Sequence, residues 1–285
     1  MKIEFTATND DLMEQVKKNL NNINYNQIKE IFRKKDVKVN GLRQSKSVFL
    51  KGGEKVEVFY TIKDKTVNVV YEDENILVAE KPQGVETTLK DKTLTNNKCL
   101  EEYFPNLIAV HRLDLNTHGL VVLAKNKEVY ENFINIFKKN QIEKHYMAIV
   151  CGKLKTSTDL LTSYAKKING FTRVFKNKQT DCVQIKTQYN VISYQNNLSL
   201  LDINLLTGYT HQIRAHLSFI GNPVLGDNKY GNKTFNKQYH LNKQCLCAYK
   251  IIFKIDSSNK LNYLNNITLQ INPSFNFNKI SKQEK

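Results

Sequence analysis

The sequence predicts an α+β fold: a large, mostly antiparallel mixed sheet with flanking helices and loops, preceded by a small separate α+β unit. Three observations predict it. From Cys182 to Leu205 apolar and polar residues alternate, with Val183, Ile185 and Thr187 on one face, then Leu198, Leu200, Asp202 and Asn204 against Ser199, Leu201, Ile203 and Leu205. Short polar turns separate these runs, which suits antiparallel strands better than βαβ units. Gly119-Leu120-Val121-Val122-Leu123-Ala124 is a continuous short apolar run of the kind a buried strand shows. Over the first 60 or so residues the pattern changes from helical spacing to alternation.

Leu12, Val16, Leu20 and Ile23 fall near helical spacing, and Ile28, Ile31 and Phe32 form a second short apolar face. Asn40-Gly41 is a hairpin signal, and Gly52-Gly53 turns the chain into Val56-Glu57-Val58-Phe59. Residues 1–62 are read as a first domain, 63–72 as a polar linker, 73–272 as a second domain and 273–285 as a polar tail. Asn75 to Ala79 reads as a strand ended by Pro82 and Gly84, and Val85 to Lys98 as a surface loop. Glu128 to Phe137 places Val129, Phe133, Ile136 and Phe137 on one side of a helix. Lys144 to Val150 alternates as a strand, and 153–181 is a lysine-rich hairpin region. Thr210 is expected to cap a helix with Ile213, Leu217 and Ile220 as its apolar stripe, and Gly208 to supply a backbone conformation that a side chain hinders. Gly221 to Gly231 is a turn-rich loop, and Gln244–Ile255 and Leu264–Ile271 are the last strands.

The 285 residues are 40% apolar and 25% charged, a globular composition. The net charge is +16 and the pI near 9.4, so a polyanion such as nucleic acid, or an anionic membrane surface, is the expected partner. No stretch approaches the roughly 20 apolar residues that span a bilayer, and Met1-Lys2-Ile3-Glu4-Phe5 lacks a signal-peptide core, so a cytoplasmic location is expected. The five cysteines are scattered without a C-x-x-C pair, which favours buried thiols over disulfides or zinc. Only five of the 43 basic residues are arginine, so each arginine is a candidate for a role that needs its planar fork.

Two segments carry the chemistry: Val110-His111-Arg112-Leu113-Asp114-Leu115-Asn116-Thr117-His118-Gly119-Leu120, and Leu205-Leu206-Thr207-Gly208-Tyr209-Thr210-His211-Gln212-Ile213-Arg214-Ala215-His216-Leu217. Asp114 leads into an apolar strand, where an ionised carboxylate needs a partner, and Arg214 is the best candidate. Metal chemistry is disfavoured because His211 and His216, five apart on a helix, diverge by roughly 140°. No G-x-S-x-G, no G-x-G-x-x-G and no phosphate-binding P-loop occurs.

These paired motifs, His-Arg-Leu-Asp with Thr-x-Gly-Leu and then Thr-Gly-x-Thr-His-Gln-Ile-Arg-x-His-Leu, resemble the RluA-type family of RNA pseudouridine synthases from about Ile76 to Phe253. Leu115 and Tyr209 stand where members often carry a basic residue, and His118 where Ser or Thr is usual. The resemblance implies the pseudouridine synthase fold, no cofactor or metal, and isomerisation of uridine in structured RNA. It makes Asp114 the catalytic carboxylate, with Arg214 orienting it and Tyr146 lying against the target uracil. Whether Asp114 attacks C1′ or takes the C2′ proton is left open. Arg112 is implied to fill the space left by the flipped base, and His111, Thr117, Thr210, His211 and Gln212 to contact RNA. The first domain, with Lys29, Arg33, Lys34, Lys35 and Lys38 clustered, resembles an S4-type RNA-binding domain, which puts ribosomal RNA of the large subunit ahead of transfer RNA. A monomer without membrane association is expected. The alternative from another class is a non-catalytic RNA-binding or ribosome-assembly protein on the same fold.

Overall fold

The structure, a computed structural model, describes residues 1–20, 25–60, 67–89, 99–277 and 280, with the backbone alone for 25–27. Ile23, most of the expected loop to Lys98 and the end of the expected tail lie outside the described residues. The chain divides into two compact units, Met1–Thr66 with Leu89–Cys99, and Val67–Thr88 with Leu100–Lys285.

In the first unit, β1 (Lys2–Thr6), β3 (Val37–Val39), β4 (Leu42–Gln44) and β6 (Lys55–Phe59) form a sheet in the order β1-β6-β3-β4, and β2 (Asn9–Asp11) pairs with β5 (Phe49–Lys51). Helix α1 (Leu12–Asn19) starts at Asp11, whose carboxylate accepts the Met13 and Glu14 amides that no helical carbonyl can reach. Leu12, Val16 and Leu20 meet Ile28, Ile31 and Phe32 of α2 (Tyr25–Arg33) and Val37, Val56 and Val58 of the sheet. Asn40 and Gly41 take φ of 48° and 80°, the left-handed pair a tight hairpin turn requires.

The second unit is built on one sheet of eleven strands. Its order is β13 (Phe171–Phe175), β12 (Thr158–Ile168), β14 (Val183–Gln195), β15 (Leu198–Leu205), β11 (Ile142–Cys151), β16 (Leu246–Phe253), β10 (His118–Ala124), β8 (Ile76–Lys81) and β7 (Asn68–Glu72), with β9 (Ile108–Ala109) on β10 and β17 (Thr268–Gln270) on β16. Among the described residues every pairing in this sheet is antiparallel except β10 with β16. The continuous apolar run of β10 has a direct cause, since both faces of the sheet are covered there. Val121 and Leu123 join the core that holds Tyr146, Ile213 and Leu217, while Leu120, Val122 and Ala124 join the core made with Phe133 and Ile136 of α4 (Lys127–Lys138). Gly119 is required at the one parallel crossing, because a Cβ there would collide with the Ala248 backbone. Among the described residues the other α-helices are α3 (Leu100–Tyr103), α5 (Gln212–Phe219) and α6 (Lys233–Gln238), with a 3-10 turn at Asn262–Leu264.

Several expectations need correction. Asn68–Glu72, whose polarity suggests a linker, form β7, a half-exposed edge strand whose alternation is too polar to stand out. Val85, Glu86 and Thr87, at the start of the expected surface loop, are buried. Phe275, Phe277 and Ile280 of the supposed polar tail pack against the cluster of Ile149, Leu198, Leu225 and Tyr239. All five cysteines are free thiols, but Cys182 is only half-buried. No helix among the described residues is long and apolar enough to cross a membrane.

Candidate active site

Asp114 sits on the loop between β9 and β10, and the loop is fixed on both sides of it. Thr87 Oγ1 accepts the Leu113 amide and donates to the Leu113 carbonyl, each at 3.0 Å. The Leu115 carbonyl accepts the Gly84 amide at 2.7 Å and the Lys81 ammonium at 3.2 Å. Lys81 is fully buried and also donates to the Val85 carbonyl at 2.7 Å, so its charge is spread over backbone oxygens. The Thr117 amide closes the turn on the Asp114 carbonyl at 3.0 Å. The backbone on either side of the carboxylate is therefore tied to segment 81–87, the end of the strand closed by Pro82 and Gly84 together with the first residues of the expected surface loop.

Arg214 reaches Asp114 from α5. Its Nη1 donates to Asp114 Oδ2 at 2.7 Å, while Nε and Nη2 grip Asp227 at 2.7 and 2.9 Å. Asp227 lies in the turn-rich loop and was missed by the sequence reading. A signal was available, since a buried guanidinium with five donors needs more than one acceptor and Asp227 is the sole acid between Gly221 and Gly231. Burial works against the guanidinium's charge, but Asp227 and then Asp114 outweigh it and hold its pKa above the ordinary value. Burial likewise opposes the Asp227 carboxylate, yet Arg214 and the Lys229 and Tyr230 amides keep its pKa below normal. The Arg214 guanidinium also lies 5.2 Å from the centroid of the Tyr230 ring.

His211 precedes α5 and takes φ 54°, ψ 24°, so the left-handed residue here is His211 and not Gly208. It is off the helix altogether, so the divergence of roughly 140° expected for His211 and His216 on one helix does not apply. His211 Nδ1 is 3.0 Å from the Tyr230 hydroxyl and Nε2 is 3.9 Å from Asp114 Oδ1. Burial, partly offset by Asp114, lowers its pKa. Thr210 does not cap α5 with its side chain; it is exposed and its carbonyl accepts the Thr172 hydroxyl at 2.6 Å. His216 is buried against Thr187 at 3.0 Å, and burial brings its pKa to about 4.

The Asp114–Arg214 pair opens on a cleft of about 500 Å³, within the usual range for small-molecule pockets. Leu206, Ile213 and Leu246 supply apolar wall, and Arg112, Lys144, Tyr146 and His211 the polar groups. Tyr146 is 7% exposed, and burial followed by the charge of Asp114 raises its pKa, so it remains a phenol. His111 is held neutral, its pKa brought to about 3 by burial and then by Lys144, while Nε2 accepts the Val122 amide at 3.2 Å. Arg112 is exposed at the cleft.

The structure thus gathers Asp114, Arg214, Tyr146, His111, Arg112, Thr117, Thr210, His211 and Gln212 around one cleft. Two of these are not placed as RNA contacts. Gln212 is buried, accepting from Thr207 and Tyr209 and donating to Lys186 and Thr187, so it braces the loop. Thr117 is buried and accepts from Gln244 at 2.6 Å. Lys29, Arg33, Lys34, Lys35 and Lys38 belong to the other unit. There Arg33 donates twice to Glu30, Lys34 lies 3.4 Å from the same carboxylate, and Lys38 lies over the Phe59 ring. Among the described residues no group of three His, Cys, Asp or Glu side chains is arranged to hold a metal.

Residues 75–219 match the RNA pseudouridylate synthase family. An uncharacterized RNA pseudouridine synthase of Mycoplasma capricolum is 33% identical, over 94% of this chain and 95% of its own. The ribosomal large subunit pseudouridine synthase C of Rickettsia conorii is 29% identical, over 81% of this chain and 86% of its own. Among solved structures, human RNA pseudouridylate synthase domain containing 1 superposes with a TM-score of 0.58 at 22% identity, covering 75% of this chain and 92% of that one, a likeness of fold.

Proposed function

The chain belongs to the RNA pseudouridylate synthase family, isomerases that act on RNA, and from that premise we propose that it converts uridine to pseudouridine in large-subunit ribosomal RNA, with Asp114 as the catalytic carboxylate. The observation that carries the assignment of Asp114 is its posture. One oxygen is held by a buried arginine, and the group stands at a cleft large enough for a flipped nucleotide. The reaction breaks N1–C1′, turns the uracil and makes C5–C1′, consuming nothing, so it needs an ionised carboxylate and a closed wall. Asp114 either attacks C1′ or removes the C2′ proton, and Arg214 orients it for both. Tyr146, a buried phenol, offers its ring to the uracil. Arg112, exposed at the mouth, takes the space the base vacates, which offsets part of the few kcal/mol of unstacking.

Ribosomal RNA is preferred for two reasons: several relatives are named for the large subunit, and the first unit, two helices and small strands with a lysine-rich helix end, resembles an S4-type domain. On this reading the protein acts as a monomer in the cytoplasm. The test is pseudouridine mapping in total RNA from cells with and without the protein, together with turnover on large-subunit rRNA and tRNA transcripts. Loss of one or more large-subunit sites is expected. Loss of tRNA sites alone would overturn the substrate, and RNA binding without turnover on either would support a non-catalytic binding protein.

A further inference from the structure

We infer that Lys144 is the seat of a phosphate subsite at the cleft mouth, taking a phosphodiester that flanks the flipped uridine; this rests on the reading of the cleft as the uridine pocket. The two-residue period of β11 puts Lys144 and Tyr146 on one face, and both line the cleft. The Lys144 ammonium lies 5.4 Å from the centroid of the Phe137 ring, at the end of α4. On the opposite wall, a Cβ added to Gly208 would come within 3.9 Å of the same nitrogen. Lys144 thus bridges the two walls between which a strand must pass.

Among the described residues Lys144 makes no ion pair, its neighbour His111 is neutral, and desolvation pulls its pKa down with no carboxylate to restore it. A half-buried cation in this position is stabilised when a negative group arrives. Base flipping sends the uracil inward and leaves its two phosphates at the rim, and Arg112 and Lys138 give that rim the same sign. A uracil carbonyl would carry no charge to match.

The test uses three soluble probes, uridine, uridine 5′-monophosphate and uridine 3′-monophosphate, titrated by NMR into the wild-type protein, Lys144→Gln and Lys144→Arg. At least one monophosphate should bind the wild type about tenfold better than uridine; the glutamine variant should lose that preference and the arginine variant keep most of it. In parallel, affinity for a large-subunit rRNA transcript between ~50 and ~200 mM salt should show a slope shallower by about one phosphate for Lys144→Gln. Equal preference in the wild type and Lys144→Gln, no preference in the wild type, or an unchanged salt slope would each overturn the subsite. A loss confined to kcat would point to a uracil contact instead and would also overturn it. Failure of the wild type to form pseudouridine in any RNA would count against the functional reading alone, since the binding measurements need no turnover.

Discussion

Arg214 holds two carboxylates, and they are treated differently. Asp227 has no side-chain exposure; it receives Nε and Nη2 of the arginine and the amides of Lys229 and Tyr230. Asp114 is 20% exposed and receives Nη1. The first carboxylate is saturated and serves to fix the arginine and its own loop. The second has lone pairs directed at a cleft, and its backbone is held from segment 81–87. On the proposed function, placement is what separates a structural acid from a reactive one, because a lone pair engaged by protein cannot also engage substrate.

The sharpest way to break this comparison is Asp114→Asn. Fold and RNA affinity should survive, while pseudouridine formation on a large-subunit rRNA transcript should fall at least about a thousandfold, since an amide neither attacks C1′ nor takes a proton there. Retained turnover would move the chemistry elsewhere. Arg214→Met should cost nearly as much activity and leave Asp227 buried without its cation, whereas Arg214→Lys should keep charge, lose the fork and recover a fraction. Equal activity of the Met and Lys variants would deny the arginine its orienting role.

Asp227→Asn should act first on stability. Breaking a buried pair costs about 3–5 kcal/mol in denaturant unfolding. The pH dependence has a definite sign. The folded-state pKa of Asp227 lies below its ordinary 3.8, so its contribution is present above that value and lost as pH falls through the folded pKa. The wild type should therefore lose stability on acidification more steeply than Asp227→Asn, and parallel pH–stability curves would contradict this. Thr87→Val, which removes both bonds to Leu113 while keeping shape, should cost about 1–3 kcal/mol and lower kcat more than KM rises. Unaltered kcat would make Thr87 a fold residue only. The smallest effect belongs to the first unit: Lys29, Lys34 and Lys38 changed together to Gln should weaken rRNA binding and flatten its salt slope without touching kcat. An unchanged slope would leave that unit without an RNA role.

The sequence by itself determined the alternating strands from Cys182 onward, the helix with Val129 and Phe133, the Asn40-Gly41 hairpin and the two motifs holding Asp114 and Arg214. These follow from interactions within a few residues: side-chain period, turn conformation and the cost of burying a charge. Only the tertiary structure decided that Thr87 and Lys81 anchor the Asp114 loop, that Asp227 completes the arginine's contacts, that Gln212 braces where a surface contact was expected, and that His211 carries the left-handed turn. Each depends on groups brought together from distant positions, and a polar residue reads the same in sequence whether solvent or a buried partner satisfies it. Leu120 and Val121 show the limit from the apolar side. Their run announced a buried strand, but which residue faces Phe133 and which faces Tyr146 was fixed by the helices and loops that cover each side of the sheet.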